Sequence, residues 1–363
     1  MSDLASVGQH FMLGLRPTST LHPQDRELLR DLRPAGVVLF KSNFAHDRPY
    51  HDWLGAHAEL IASIREAVGR ERLFVAIDHE GGRVCRTPAP ITRYSYARDW
   101  ADRSGQVGSA MGLELSSLGI NLNFAPVLDI DSNPQNPVIG MRSFGQQPEA
   151  VAASACAFMA EMEAHGVRAC GKHFPGHGDT RADSHHELPI IEASLDILRQ
   201  RELKPFAAAI EAGIGMIMTS HILFKELDDE RPATLSRRII QELLRDELGF
   251  QGVVVSDDIG MRAVSSMFEQ GEAAVRFLSA GNDMLMICAH WTDTERARAF
   301  AQALIEARRD GRLDRQLLER AHQRIETMLD HTAQHVVSAL PDEVFRLHAE
   351  SGPGFSSPTV EVI

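Results

Sequence analysis

The sequence predicts a single (β/α)8 barrel, and three observations lead there. Short apolar runs alternate with amphipathic segments in βαβα order along nearly the whole chain. The 363 residues hold eight such units, and a barrel of this kind takes about 250 residues before loop insertions. Four of the apolar runs end in charged or titratable residues, as barrel strands do at the rim that carries active sites. A doubly wound sheet is the alternative arrangement of the same units.

Taken in order, the expected strands are residues 11–15, 36–40, 73–78, 120–127, 168–174, 216–221, 252–257 and 284–288. Between them, helical periodicity covers 53–68, 107–118, 150–163, 197–211, 236–248 and 271–279, and one more helix follows at 315–329. No repeat underlies the alternation and no Pro/Ser-rich linker divides it. The barrel domain is therefore expected over 1–332. Residues 333–363 form a C-terminal extension, expected to be partly disordered because its end reads Ser-Gly-Pro-Gly-Phe-Ser-Ser-Pro from Ser351.

Composition narrows the function classes. A net charge of −13 with scattered Lys and Arg argues against a nucleic-acid ligand. Cys85, Cys156, Cys170 and Cys288 are far apart with no Cys-x-x-Cys pair, which argues against a zinc ribbon or a disulfide framework and fits a reducing compartment. The N-terminus lacks a basic segment followed by an apolar core, and no apolar run approaches membrane-spanning length. The expectation is a cytoplasmic protein without a membrane partner; its oligomeric state is not legible.

Charge gathers at one rim. The run ending at Ile77 leads into Asp78-His79-Glu80-Gly81-Gly82-Arg83 and Arg86; another ends in Thr219-Ser220-His221, and a third in Ser256-Asp257-Asp258. Residues 136–144 form a loop carrying Arg142. The densest stretch is Lys172-His173-Phe174-Pro175-Gly176-His177-Gly178-Asp179-Thr180-Arg181-Ala182-Asp183-Ser184-His185. It reads as a metal site, a general acid/base device, or a polar loop whose histidines cap and bridge. Each charged group also has a structural reading: Asp257 or Asp258 as a helix cap, Asp78 with Arg83 and Arg86 as an ion pair, His177 as a loop hydrogen bond, Cys85 and Cys170 as packed small hydrophobes. The pairing of a rim carboxylate with an Asp-x-His suits glycosyl transfer. A carboxylate attacks the anomeric carbon while a His, poised near neutral pH and oriented by a carboxylate two residues earlier, moves the proton.

Leu243-Leu244-Arg245-Asp246-Glu247-Leu248-Gly249-Phe250-Gln251-Gly252-Val253-Val254-Val255-Ser256-Asp257-Asp258-Ile259-Gly260 resembles the active-site signature of family 3 glycoside hydrolases. The stretch from Lys172 to His185 resembles a second hallmark, found in the single-domain β-N-acetylglucosaminidase branch. Asp78-His79-Glu80-Gly81-Gly82-Arg83-Val84-Cys85-Arg86 resembles a third motif, and Ile139-Gly140-Met141-Arg142-Ser143-Phe144 a fourth, all in the family's order from about residue 11 to about 329.

Carried over by position, the resemblance implies Asp257 as nucleophile, His185 as acid/base and Asp183 as its orienting partner. It implies Asp78, Arg86, Arg142, Lys172 and His173 as contacts to a terminal N-acetylglucosamine, as in cell-wall muropeptides. No cofactor or metal is implied, and no second α/β domain. His79 stands where the family usually has Gln and Met141 where it often has Glu, which bears on substrate choice. Three other readings stay open: a phosphorylase, because a His acid/base does not repel phosphate as a carboxylate would, another family 3 β-glycosidase, and a metal-dependent hydrolase with His173, His177, Asp179, Asp183 and His185 as ligands.

Overall fold

The computed structural model describes residues 3–181, 188–288 and 294–355. Eight parallel strands build the centre: β1 (Phe11–Gly14), β2 (Gly36–Leu39), β3 (Phe74–Ile77), β4 (Leu122–Asn123), β5 (Arg168–Phe174), β6 (Met216–Thr219), β7 (Val253–Ser256) and β8 (Leu285–Ile287). Each of β1 to β6 pairs with the strand that follows it, and β8 pairs with β1. The ring closes at a parallel bridge between Val255 and Met284, where the Ser256 N–H donates to the Met284 carbonyl at 3.0 Å.

Strand side chains alternate between two separate apolar clusters, as the period of two requires. Met12, Val38, Phe74, Ala76, Met216, Met218, Val255 and Met286 fill the lumen. Phe11, Leu13, Val37, Leu39, Val75, Ile77, Ile217, Val254 and Leu285 face the helical shell. Burial on both faces is why these strands read as unbroken apolar runs. Unbranched methionines suit the irregular space inside a narrow barrel. Ile325, Met328 and Leu329, on the helix Arg315–Asp330, seal the N-terminal end of the lumen.

All eight expected strands are present, mostly shorter than expected at their rim ends. The fourth shrinks most: Pro126 offers no N–H to a ladder, and the Asn123 side chain is already committed to the backbone of His79. The expected helix at 197–211 is two helices, Leu195–Gln200 and Leu203–Glu211. Pro205 explains the break, since its ring would collide with the carbonyl of residue 201 in a continuous helix. Helices Pro23–Leu32, Thr294–Asp310 and Asp342–Ala349, and the short strand pair Ile190–Ile191 with Leu223–Phe224, were not anticipated.

Candidate active site

At the top of β3 the chain turns into Asp78, His79 and Glu80, and the Asn123 side chain sets that turn. It accepts from the His79 N–H and donates to the His79 carbonyl, both at 2.9 Å. Gly81 and Gly82 then take positive φ of 101° and 57°; a Cβ on Gly82 would lie 2.3 Å from the Tyr96 ring, so only glycine fits.

Lys172, at the end of β5, reaches across to this turn. Its Nζ, on a residue 2% exposed, lies 2.8 Å from Asp78 Oδ1 and 2.6 Å from Glu80 Oε1. Arg142 donates to both Glu80 oxygens at 2.8 Å from Nε and Nη2, and its Nη1 donates to the Val138 carbonyl. Burial opposes charge on all three buried groups, and their partners outweigh it. Glu80 is held well below the carboxylate range by Arg142 and Lys172; Lys172 is raised by Asp78 and Glu80; Arg142 is raised by Glu80. Glu80, Lys172 and Arg142 are therefore all ionised at neutral pH. Two of the five Arg142 N–H groups remain after these contacts. Arg86 is half-buried, and its Nε has no protein partner among the described residues.

Asp129, just past β4, organises the next part of the rim and was not singled out from sequence. It is fully buried. Its Oδ1 accepts from the backbone N–H of His173 at 3.1 Å and of His177 at 2.7 Å, and Oδ2 lies 2.6 Å from His173 Nδ1. Burial works against ionisation of Asp129, but His173 and these hydrogen bonds hold it below its ordinary value. A carboxylate only accepts, so His173 Nδ1 carries the proton and Nε2 is the nitrogen left for other contacts. His177 is buried and pushed down to about 4 by that burial and by His173; its Nδ1 meets Thr180 Oγ1 at 3.0 Å. It is a loop-holding neutral imidazole, as the structural reading expected. Gly178 permits the close loop packing, since a Cβ there would sit 1.7 Å from the Ile130 carbonyl oxygen.

At the top of β7 the two adjacent carboxylates divide their work. Asp258 Oδ1 accepts from the N–H groups of Gly260 at 3.1 Å and Cys288 at 2.9 Å, tying the β7 loop to β8. Asp257 accepts only the Asp258 N–H, at 2.8 Å, among the described residues. His221 is packed beside it, with Nδ1 2.7 Å from Thr234 Oγ1 and Nε2 3.1 Å from the Asp258 carbonyl. Burial opposes the Asp257 charge, but His173, His221 and the Asp258 N–H prevail and hold its pKa below the ordinary value. A carboxylate that is ionised, partly exposed and sparsely hydrogen-bonded is free to use its oxygens on a ligand.

The structure thus brings Asp78, Arg142, Lys172 and His173 to one rim with Asp257, and adds Glu80, Asp129 and His221. Asp183 and His185 lie outside the described residues. Among the described residues no three His, Cys, Asp or Glu side chains form a group that could hold a metal ion. His79, expected to bear on substrate choice, is buried beneath the turn, its ring 3.7 Å from the Cys85 sulfur; burial, then Arg86 and Arg93, push it down to about 4. Met141 is exposed. No helix among the described residues is long and apolar enough to cross a membrane.

Residues 6–328 match the N-terminal domain of glycosyl hydrolase family 3. Beta-hexosaminidase A of Pseudoalteromonas piscicida is 36% identical in an alignment 331 residues long that covers 85% of this chain and 55% of that protein, so the chain spans about half its length. A glycoside hydrolase family 3 β-N-acetylglucosaminidase from Paenibacillus sp. superposes with a TM-score of 0.87 at 34% identity, covering 97% of this chain and 68% of that one. NagZ from Neisseria gonorrhoeae, in complex with N-trifluoroacetyl-D-glucosamine, gives a TM-score of 0.72 at 30% identity over 94% of this chain and 93% of that one.

Proposed function

The chain belongs to glycosyl hydrolase family 3, and from that premise we propose that it is a retaining exo-β-N-acetylglucosaminidase. The observation that carries this reading is Asp257, an ionised carboxylate with one described hydrogen bond, at the rim that also holds the Asp78–Lys172–Glu80–Arg142 cluster. That cluster suits the polar edge of a sugar. Asp78 and His173 Nε2 accept from hydroxyls, while Lys172, Arg86, whose Nε has no partner among the described residues, and the two remaining Arg142 donors supply hydrogen bonds.

In the first step an Asp257 oxygen bonds to the anomeric carbon as the bond to the leaving oxygen breaks, and His185 gives that oxygen its proton. In the second, water attacks the same carbon, His185 takes the water proton, and the Asp257 carboxylate is released. Asp183, two residues earlier in the chain, orients the imidazole and stabilises its charged form. The 2-acetamido preference is supported by the names of the relatives and by the N-acylated glucosamine bound to NagZ. Cell-wall muropeptides are the proposed substrates and the cytoplasm the proposed compartment, in keeping with four free cysteines.

Two assays test this. Aryl β-glycosides differing only at C2 and C4 should be turned over efficiently only with the 2-acetamido group; equal turnover of the plain glucoside contradicts the substrate assignment. For His185→Ala, kcat/KM should fall most steeply with poor leaving groups. A dependence on leaving-group pKa unchanged from the parent would show that another group donates the proton.

A further inference from the structure

Beyond the family match, which ends at residue 328, the chain runs up the outside of the barrel from its closed end to the rim. At the start the Asn121 side chain donates to the Ala333 carbonyl at 2.9 Å. Midway the Ser338 N–H donates to the Ser117 carbonyl and the Leu340 N–H to the Tyr50 hydroxyl. The helix Asp342–Ala349 then seats Phe345 edge-on to Tyr50, and His348 Nδ1 meets Glu114 Oε1 at 2.7 Å.

At the rim this strap joins the back of the candidate sugar site. The Ser95 N–H donates to the Pro353 carbonyl at 2.7 Å and the Phe355 N–H to the Arg93 carbonyl at 2.9 Å, with an antiparallel bridge between Tyr94 and Gly354. The Phe355 ring stands edge-on to Tyr96 and carries the Arg93 guanidinium 5.3 Å from its centroid. Residues 93–96 in turn touch the turn that bears Asp78 and Glu80. The Gly82 N–H donates to the carbonyls of Tyr94 and Ser95, the Tyr96 ring packs on Gly82, and Arg93 lies beside Cys85 and His79.

We propose that the C-terminal strap, through Phe355 clamped on Arg93 and Tyr96, is a positioning element of the sugar site that fixes residues 78–86 for binding. Phe355 touches no substrate in this scheme; it acts through residues 93–96. The proposal rests on the reading that Asp78 and Arg86 hold the sugar. It predicts a loss in binding and not in chemistry, because the strap leaves Asp257 alone.

The test compares KM and kcat for 4-nitrophenyl N-acetyl-β-glucosaminide in the full chain, Phe355→Ala, Phe355→Tyr, a truncation ending at Ser351, and Asp78→Ala. Losing one aromatic clamp should raise KM about three- to fivefold with kcat within about twofold of the parent. Phe355→Tyr should restore KM, and the truncation should raise it further. Asp78→Ala should raise KM about tenfold or more. Unchanged KM in Phe355→Ala, with Asp78→Ala raising it, overturns the strap proposal alone, whether or not the truncation folds. Unchanged KM in Asp78→Ala overturns the sugar-site reading and the strap proposal with it.

Discussion

The two ends of the barrel both hold carboxylates, and they treat them differently. At the closed end Asp283 is fully buried and saturated. Oδ1 accepts from Arg324 Nε at 3.0 Å and Nη2 at 2.7 Å; Oδ2 accepts from Arg245 Nη2 at 2.6 Å and the Val254 N–H at 2.8 Å. Its backbone carbonyl also meets His10 Nδ1 at 3.0 Å. At the open rim Asp257 has a single described hydrogen bond, although His173, His221 and Lys172 keep it ionised. Saturation marks a carboxylate that holds β7, β8 and the sealing helix together. An ionised carboxylate with unspent oxygens marks one kept for a ligand.

Substitutions sharpen that contrast. The largest expected effect is on turnover: Asp257→Ala should lose about 10³-fold or more in kcat while its stability stays within about 1 kcal/mol of the parent. Steady-state kinetics with denaturant melts check both halves, and near-normal turnover ends the nucleophile assignment. The mirror image is Asp283→Ala, which strands Arg245 and Arg324 and should cost about 3–5 kcal/mol of stability. Folded Asp283→Ala should keep nearly normal kcat per active site; a kcat loss matching that of Asp257→Ala would erase the distinction between the two ends.

Glu80 tests the rim's own structural component. Its pKa is depressed in the folded state, so its stabilisation is complete above the unfolded carboxylate value of about 4.3 and is lost as pH falls through the folded value. Glu80→Gln should therefore be less stable at pH 7 by about 1–3 kcal/mol, with the gap closing below pH ~4. Melts from pH 7 to 3 check this, and a gap independent of pH would contradict it. The smallest effect is expected from His79→Gln. The ring is buried, neutral and turned to Cys85, so KM for the aryl N-acetylglucosaminide should move by less than about threefold. A change of substrate preference would mean that the position contacts sugar after all.

Much of this was legible in the sequence because the barrel buries both faces of every strand. Runs such as Val253-Val254-Val255 and Met216-Ile217-Met218 are apolar throughout, and the rim shows where Asp257 or Lys172 interrupts them. Polar helices were harder to see. Pro23–Leu32 buries little beyond Leu28, Leu29, Leu32 and an Asp25 paired with Arg16, which leaves a thin apolar stripe. Asp342–Ala349 buries only Phe345 and takes its stability from docking. Asp129 escaped notice because it shares Asp129-Ile130-Asp131 with a second carboxylate, and nothing local says which one faces His173. The split at Arg201 was legible in principle from Pro205.

The central claim is that the unsaturated rim carboxylate forms a covalent bond with the sugar. A fluorinated N-acetylglucosaminyl fluoride that forms the intermediate quickly and releases it slowly should inactivate the enzyme with time, adding one sugar mass to the intact protein. Peptide mapping should place that mass on Asp257, and Asp257→Ala should remain unlabelled. Label on another residue, or turnover without any covalent adduct, would contradict the account.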